Sequence, residues 1–247
     1  MCTVVVIATP STELLIGFNR DELHSRLPAL LPSQVLTSTG KYLAPTDQDA
    51  GGSWIGLTDQ HLAVALLNCF CEAEPPVAPV RSRGTLVRAL LALGTLAAAL
   101  SELRILANTL QLKHYPPFDL VLAAPDAGGP RIFLARWNGA RLIVRRRRAP
   151  LVHASSAWRA DKVLAERRAA LHRYLRQHSP QDRNSDSLLT LFANHHSGVA
   201  QRPPCIHGPW AHTVSHTALV VAAGQGSVRY AAGSPCQCQL DVPLSVA

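Results

Sequence analysis

The chain has 247 residues, 47% of them apolar, and carries 24 Lys and Arg against 16 Asp and Glu, for a formal charge of +8. That length suits one sizeable domain or two small ones, and the apolar share is enough for a large buried core. No apolar run approaches the roughly 20 residues that span a bilayer. Met1 to Ala8 lack the basic start and long apolar stretch of a secretory signal, so a cytoplasmic location with reduced cysteines is expected.

Cys2 to Ala8 are β-branched and apolar and predict a buried strand. Pro10, Ser11 and Thr12 form a turn, and Leu14 to Phe18 a second strand, giving an N-terminal hairpin. Asn19-Arg20-Asp21-Glu22 then places four polar residues at the end of an apolar strand, the pattern of a site edge. Residues 23 to 50 lack strong periodicity and read as a long loop. Gly51-Gly52, which would let backbone approach a ligand, opens a strand over Ser53 to Leu57; His61 to Leu67 is its partner, closed by Asn68.

Helical periodicity begins at Ser82, with Leu86, Leu90 and Leu93 on one face. Gly94 breaks that helix and Thr95 caps the next, which runs to about Leu110. Strands follow at Phe118 to Ala123, Arg131 to Arg136 and Arg141 to Arg147, the last two joined by an Asn138-Gly139 turn. Ser156 or a neighbour caps a helix over Arg159 to Gln177, and a shorter helix covers Ser187 to Asn194. Strands return at Thr213 to Ala223 and Ser227 to Ala232. Hairpin-joined strands imply antiparallel sheets, and helices arriving in pairs imply two outer helical layers. The expected fold is α+β, a four-layer αββα sandwich forming a single domain over residues 1–247.

Chemistry centres on residue 2. Cysteine is small enough for the preceding methionine to be removed, which leaves a thiol and an α-amine on one residue. Their ordinary pKa values, about 8.5 and about 7.7–8.0, let the amine take the thiol proton near neutrality. A nucleophile and its base then share a residue, as in N-terminal threonine enzymes. Asp21, at the returning end of the hairpin, is placed to hold the ammonium, and Arg20 to bind a substrate carboxylate or steady Asp21. Asn68 is placed to donate to a developing oxyanion.

Met1-Cys2-Thr3, Asn19-Arg20-Asp21-Glu22, Gly51-Gly52-Ser53-Trp54-Ile55-Gly56 and Leu66-Leu67-Asn68 occur in this order and resemble the NRDE family, which includes transport and Golgi organisation protein two. Arg81 to Gly84 and Trp158 to Val163 also look like that family. The family in turn resembles the N-terminal-nucleophile hydrolases that include bile salt hydrolases and penicillin acylases. The resemblance implies Cys2 as nucleophile on an amide, Asp21 at the N-terminal amine and Asn68 in the oxyanion hole, with Asn19, Arg20, Glu22 and Trp54 toward substrate. It also implies a link to haem trafficking and to lipid or acyl-CoA metabolism. The sequence departs from those hydrolases at Phe18, where they carry an arginine. It departs again at His153-Ala154-Ser155-Ser156 and Thr213-Val214-Ser215-His216, where a later Asn and Arg would stand. Ser155 or His216 would then rebuild the site.

Three other groups are set aside. Arg145-Arg146-Arg147-Arg148 has no aromatic platform or nucleic-acid motif near it, so no nucleic-acid partner is expected. Cys69-x-Cys71, Cys205-x-His207 and Cys236-x-Cys238 lack the two-residue gap of a zinc ribbon, and no metal site is assigned. In the stretch His195-His196, His207, His212 and His216, polar loop residues are the expected reading, with His216 alternating with Ser215 in a strand so that one of those two faces the interior. The expected activity is a cysteine amidohydrolase acting on a C–N amide bond of a small or acyl metabolite, without a cofactor. The alternative is a non-catalytic carrier of haem or another hydrophobic metabolite.

Overall fold

A computed structural model describes residues 1–10, 13–195 and 203–246 of the chain. Ser11, Thr12 and His196, singled out above, lie outside the described residues. The elements run β1 (Cys2–Ala8), β2 (Leu14–Leu23), β3 (Leu30–Thr37), β4 (Gly40–Thr46), β5 (Ile55–Thr58), β6 (Ala63–Asn68), α1 (Arg83–Leu91), α2 (Leu96–Asn108) and β7 (Phe118–Ala124). They continue as β8 (Arg131–Trp137), β9 (Leu142–Arg147), β10 (Leu151–Ala154), α3 (Ala160–Gln177), α4 (Ser185–Phe192), β11 (Ala211–Ala222), β12 (Gln225–Ala231) and β13 (Leu244–Val246).

Successive side chains of a strand face opposite ways, and in β1 both faces are buried. Val4 and Val6 enter a core between two sheets, while Val5 and Ile7 pack with Leu171, Tyr174, Leu188 and Phe192 of α3 and α4. A strand covered on both sides reads as a continuous apolar run, which is why residues 2–8 show no alternation. The first sheet has the order β10-β1-β2-β11-β12-β13 and the second β3-β4-β5-β6-β7-β8-β9. Every strand pairing is antiparallel. α1 and α2 cover the outer face of the second sheet through Leu86, Leu90, Leu100 and Leu103. The result is the expected αββα sandwich.

The helix boundaries follow from local chemistry. Ser82 and Thr95 accept from the amides of Gly84 and Ala98 and cap α1 and α2, with Gly94 at φ +78° between them. Asn184 and Ser187 form a reciprocal capping box on α4. Ser156 does not cap α3 as expected. Its hydroxyl donates to the Trp158 carbonyl and accepts from the Trp158 amide, and α3 begins beyond Arg159, which carries no side-chain cap.

The loop expected over residues 23–50 is corrected by β3 and β4. β3 is an edge strand with most side chains exposed and carries Pro32, so it shows neither apolar alternation nor an uninterrupted run. Gly52 also has a different part from the one expected. A Cβ there would lie 2.5 Å from the backbone carbon of Gly84, so its bareness lets the β4–β5 connection touch the first turn of α1. Backbone cannot give way as a flexible side chain would. Gly52→Ala is therefore expected to lower stability by about 1–3 kcal/mol, measured as a drop in urea midpoint at unchanged m-value.

Candidate active site

The chain start is clamped by main-chain contacts. Cys2 pairs with Arg20 on β2, its amide donates to Ser155 Oγ (2.9 Å), and its carbonyl accepts from the Ser155 amide (2.9 Å). On the other side, β2 pairs with β11 in a register that sets Asp21 against Thr213 and Arg20 against Ser215, with a bulge between Thr213 and Ser215.

Alternation along β2 then sorts the motif between two cavities. Cys2, Arg20, Glu22, Trp54 and Asn68 line one of about 320 Å³ together with Arg83. Asp21 and Met1 line another of about 600 Å³. Asp21 thus lies across the strand from the thiol and beside the chain terminus. Its Oδ1 accepts from Thr213 Oγ1 (2.6 Å), while its buried Oδ2 has no partner among the described residues. Arg167, 1% exposed, contributes positive charge behind it, donating through Nε to Thr3 Oγ1 (3.0 Å) and through Nη2 to the Pro203 carbonyl (2.9 Å).

Burial pushes the Asp21 carboxyl up to about 7, against the opposing pull of the terminal ammonium, Thr213 and Arg167. Burial likewise pushes the Cys2 thiol up to about 11; the terminal ammonium and the Asp21 amide favour the thiolate, while the Asp21 and Glu22 carboxylates oppose it. With Met1 attached, the thiol therefore stays protonated at neutral pH.

Arg20 lies 4.1 Å over the Trp54 ring and within 3.5 and 3.6 Å of the Glu22 and Asp47 carboxylates. Trp54 thus forms a floor under the guanidinium. Arg26 pairs with Asp47, and Arg83 donates to the Pro117 carbonyl (3.1 Å). Arg26 and Asp47 were not singled out from sequence, and Arg83 only as part of the Arg81 to Gly84 segment. Arg167 was missed as well, although a signal existed: it sits four residues from both Val163 and Leu171, on the buried stripe of α3.

Asn19 is the correction. Its side chain faces the helical layer, donates to the carbonyls of Phe192 (3.2 Å) and Pro204 (2.9 Å), and accepts from His216 Nδ1 (2.8 Å). It is absent from the cavity that holds Cys2. His216, its partner, is fully buried and pushed down to about 3 by that burial, so it stays neutral; it contacts Asn19 on the helical side and does not line the cavity that holds Cys2. Ser155 does reach the main chain of residue 2. His153 instead donates to Asp119 (2.8 Å), which also takes a two-pronged contact from Arg136 (2.7 and 2.8 Å). Burial pushes the Asp119 carboxyl up, but these bonds outweigh it and hold it below its ordinary value. Arg145 and Arg147, from the arginine cluster, line a third cavity of about 510 Å³ with Arg136 and Arg168.

Residues 1–231 match the family model described as Transport and Golgi organisation 2. The chain belongs to that family. No curated protein matches the chain in sequence. Among solved structures it is similar to an N-acylethanolamine-hydrolyzing acid amidase ortholog from Caenorhabditis elegans, with a TM-score of 0.58 at 13% identity over 89% of this chain and 92% of that one. A variant of conjugated bile acid hydrolase from Clostridium perfringens gives 0.58 at 11% identity, covering 94% and 89%. These likenesses establish the N-terminal-nucleophile hydrolase fold for this Transport and Golgi organisation 2 family member.

The unpaired Asp21 oxygen has a thermodynamic consequence in the family member that retains Met1. Its folded state holds a proton on Asp21 up to about pH 7, whereas an unfolded carboxyl releases it near 3.8. The folded state binds more protons across that window, so stability falls as pH rises through it. Asp21→Asn is expected to remove that slope. Urea unfolding of the Met1-bearing chain and of its Asp21→Asn variant at pH 4 and pH 8, prepared with methionine aminopeptidase inhibited, isolates the Asp21 share, on the order of 4 kcal/mol at most, from the opposite contribution of buried His216, which makes stability rise with pH.

Proposed function

We propose that the mature chain is an N-terminal-cysteine amidohydrolase that cleaves a C–N amide bond of a small or acyl metabolite. The observation that carries this reading is the placement of the residue 2 nitrogen: it already donates to Ser155 Oγ, and the terminal ammonium acts on the buried Asp21, whose Oδ2 has no partner among the described residues. Once Met1 is removed, that nitrogen becomes the α-amine. Asp21 and Ser155 then hold it, and the amine is within one residue of the thiol it must deprotonate.

In this mechanism the Cys2 Sγ–H proton passes to the α-amine as sulfur bonds to the substrate carbonyl carbon. The carbonyl π electrons move to oxygen, and the Asn68 amide donates to the resulting oxyanion. The ammonium returns its proton to the leaving nitrogen as the C–N bond breaks, which releases an amine and leaves a thioester on Cys2. Water, deprotonated by the same amine, then cleaves the thioester to a carboxylic acid and free thiol. Arg20, held by Trp54, with Arg26, Arg81 and Arg83 against Glu22 and Asp47, gives the cavity a net positive wall that suits an acidic group on the substrate. Glu22 and Asp47 orient the arginines rather than the reacting bond.

Intact-protein mass spectrometry with an activated acyl probe provides the test. The expected result is a chain lacking Met1 that gains one acyl group, with the adduct absent in Cys2→Ala at unchanged circular dichroism. Turnover of an N-acyl substrate should be abolished in Cys2→Ala and reduced by about 10²–10³ in kcat in Asn68→Ala. Unchanged turnover in Cys2→Ala would overturn the covalent mechanism. Tight, saturable haem binding with no acylation of Cys2 would establish the carrier in its place.

A further inference from the structure

Four potential metal ligands meet at a place remote in sequence from the cysteine motif. His195 follows α4, Cys205 and His207 precede β11, and Cys236 lies in the turn after β12. Cys205 Sγ is 3.4 Å from His207 Nε2 and 3.5 Å from Cys236 Sγ, and His207 Nε2 is 3.1 Å from Cys236 Sγ. One ring nitrogen each of His195 and His207 and the Cys236 sulfur all lie within 4.8 Å of one another, a set that Cys205 joins only through its contacts with His207 and Cys236.

We propose that Cys205, His207, Cys236 and His195 bind a zinc-class divalent cation as a closed Cys2His2 site.

The distances are those of ligands around one small cation. Zinc bonds of about 2.3 Å to sulfur and about 2.0–2.1 Å to nitrogen put the corners of a tetrahedron about 3.3–3.8 Å apart. The three contacts among Cys205, His207 and Cys236, from 3.1 to 3.5 Å, sit at and just below the short end of that interval, and His195, within 4.8 Å of His207 and Cys236, is the fourth ligand. His195 Nδ1 lies 3.1 Å from the Ala193 carbonyl. Donation there fixes the tautomer whose Nε2 carries the ligating lone pair, the usual supporting contact of a metal-bound imidazole.

The backbone holding these ligands is tied down independently of any ion. The Cys205 amide donates to the Asn194 carbonyl (3.2 Å), Ile206 and Thr213 exchange contacts at 2.8 and 2.9 Å, and Ser234 Oγ donates to the Thr213 carbonyl (2.8 Å). Three segments are thereby gathered around β11. Two thiolates balance the charge of the cation, so the site is neutral and tolerable beside a buried carboxylate. Binding forms two metal–sulfur and two metal–nitrogen bonds and releases the two thiol protons to solvent. Four protein ligands leave no open position, which makes the ion structural rather than catalytic. It would brace Thr213, the residue that hydrogen-bonds Asp21, from the far side of the larger cavity. The expectation that no metal binds came from reading each Cys and His pair along the chain; the ligand set forms only across three segments. Cys69 and Cys71 also lie 3.5 Å apart, but no histidine joins them in a metal-ligating group among the described residues.

The test is elemental analysis of the untagged full chain purified under reducing conditions, with cobalt(II) titration of the metal-stripped protein. The expected results are one zinc per chain and, with cobalt, tetrahedral visible bands with a thiolate charge-transfer band in the near ultraviolet. Both should be lost in Cys205→Ser with Cys236→Ser and kept in Cys69→Ser with Cys71→Ser. X-ray absorption of the unmutated zinc protein, which needs no variant to fold, should give two sulfur and two nitrogen neighbours. A chain without stoichiometric metal, an all-nitrogen and oxygen shell, metal retained by the Cys205 and Cys236 double variant, or a Cys205–Cys236 disulfide found by mass spectrometry would each overturn the site.

Discussion

A strand that begins at residue 2 and is covered on both faces must satisfy its first nitrogen without help from bulk water. Everything at the site follows from how that is done. Ser155, just past the short edge strand β10, takes the Cys2 amide and returns its own amide to the Cys2 carbonyl, so the ladder extends to the last available residue. Asp21 is carried to the same end by the β1–β2 register, and the β11 bulge sets Thr213 against it. The carboxylate is left with one satisfied and one unsatisfied oxygen in a place where an unsatisfied acceptor costs about 1–3 kcal/mol. An amine beside it is the natural partner, and on the proposed reading processing of the chain creates that amine.

Three networks built on buried polar residues are kept apart by the alternation of the strands. Between the sheets, Asp119, Arg136 and His153 bridge β7, β8 and β10, so that one carboxylate ties both sheets together. Under the helices, Asn19 accepts from His216 Nδ1 and donates to the last carbonyl of α4, while His216 Nε2 has no partner among the described residues. On that same face, toward the chain terminus, Asp21, Thr213 and Arg167 surround a position for positive charge. Phe18, where the resemblance to the hydrolases implied an arginine, belongs to the apolar core between the sheets. Its neighbour Arg20, two residues on and on the same face, is the guanidinium that reaches the cavity.

This explains what could be read in the chain and what could not. β1, β2, β6 and β7 are legible because a strand buried on both sides must be an unbroken apolar run, and polar residues that interrupt such a run, Asp21 and Asn68 among them, then stand out. β3 was illegible because an edge strand has no such constraint, and β10 because four residues carry too little pattern. Asn19 was misread through the same logic that found Asp21. Polarity at a strand end marks a residue as needing partners, but whether those partners are substrate or the next layer depends on which way the side chain points, and that depends on packing. Arg167 shows the converse: a charge on an apolar stripe looks like an imperfection until the carboxylate it faces is known. The Cys and His pairs at 195, 205, 207 and 236 carry no linear signature at all, since their meeting point is made by a helix end, a strand entry and a hairpin exit.

On the proposed reading, burial has opposite consequences for the thiol before and after loss of Met1, and this bears on how such a site would be made safely. While Met1 is present, desolvation dominates and keeps Cys2 protonated, so the unprocessed chain carries no reactive thiolate. Loss of Met1 moves the ammonium from the neighbouring residue onto Cys2 itself. Coulomb attraction rises as separation falls and is strongest in a low-dielectric setting, so the same burial that suppressed the thiolate now magnifies the one interaction that favours it. Asp21 tempers this by stabilising the ammonium against giving up its proton. The balance between Asp21 and the thiol for the amine's charge, set by the strand that separates them, therefore decides how strongly the amine acts as a base.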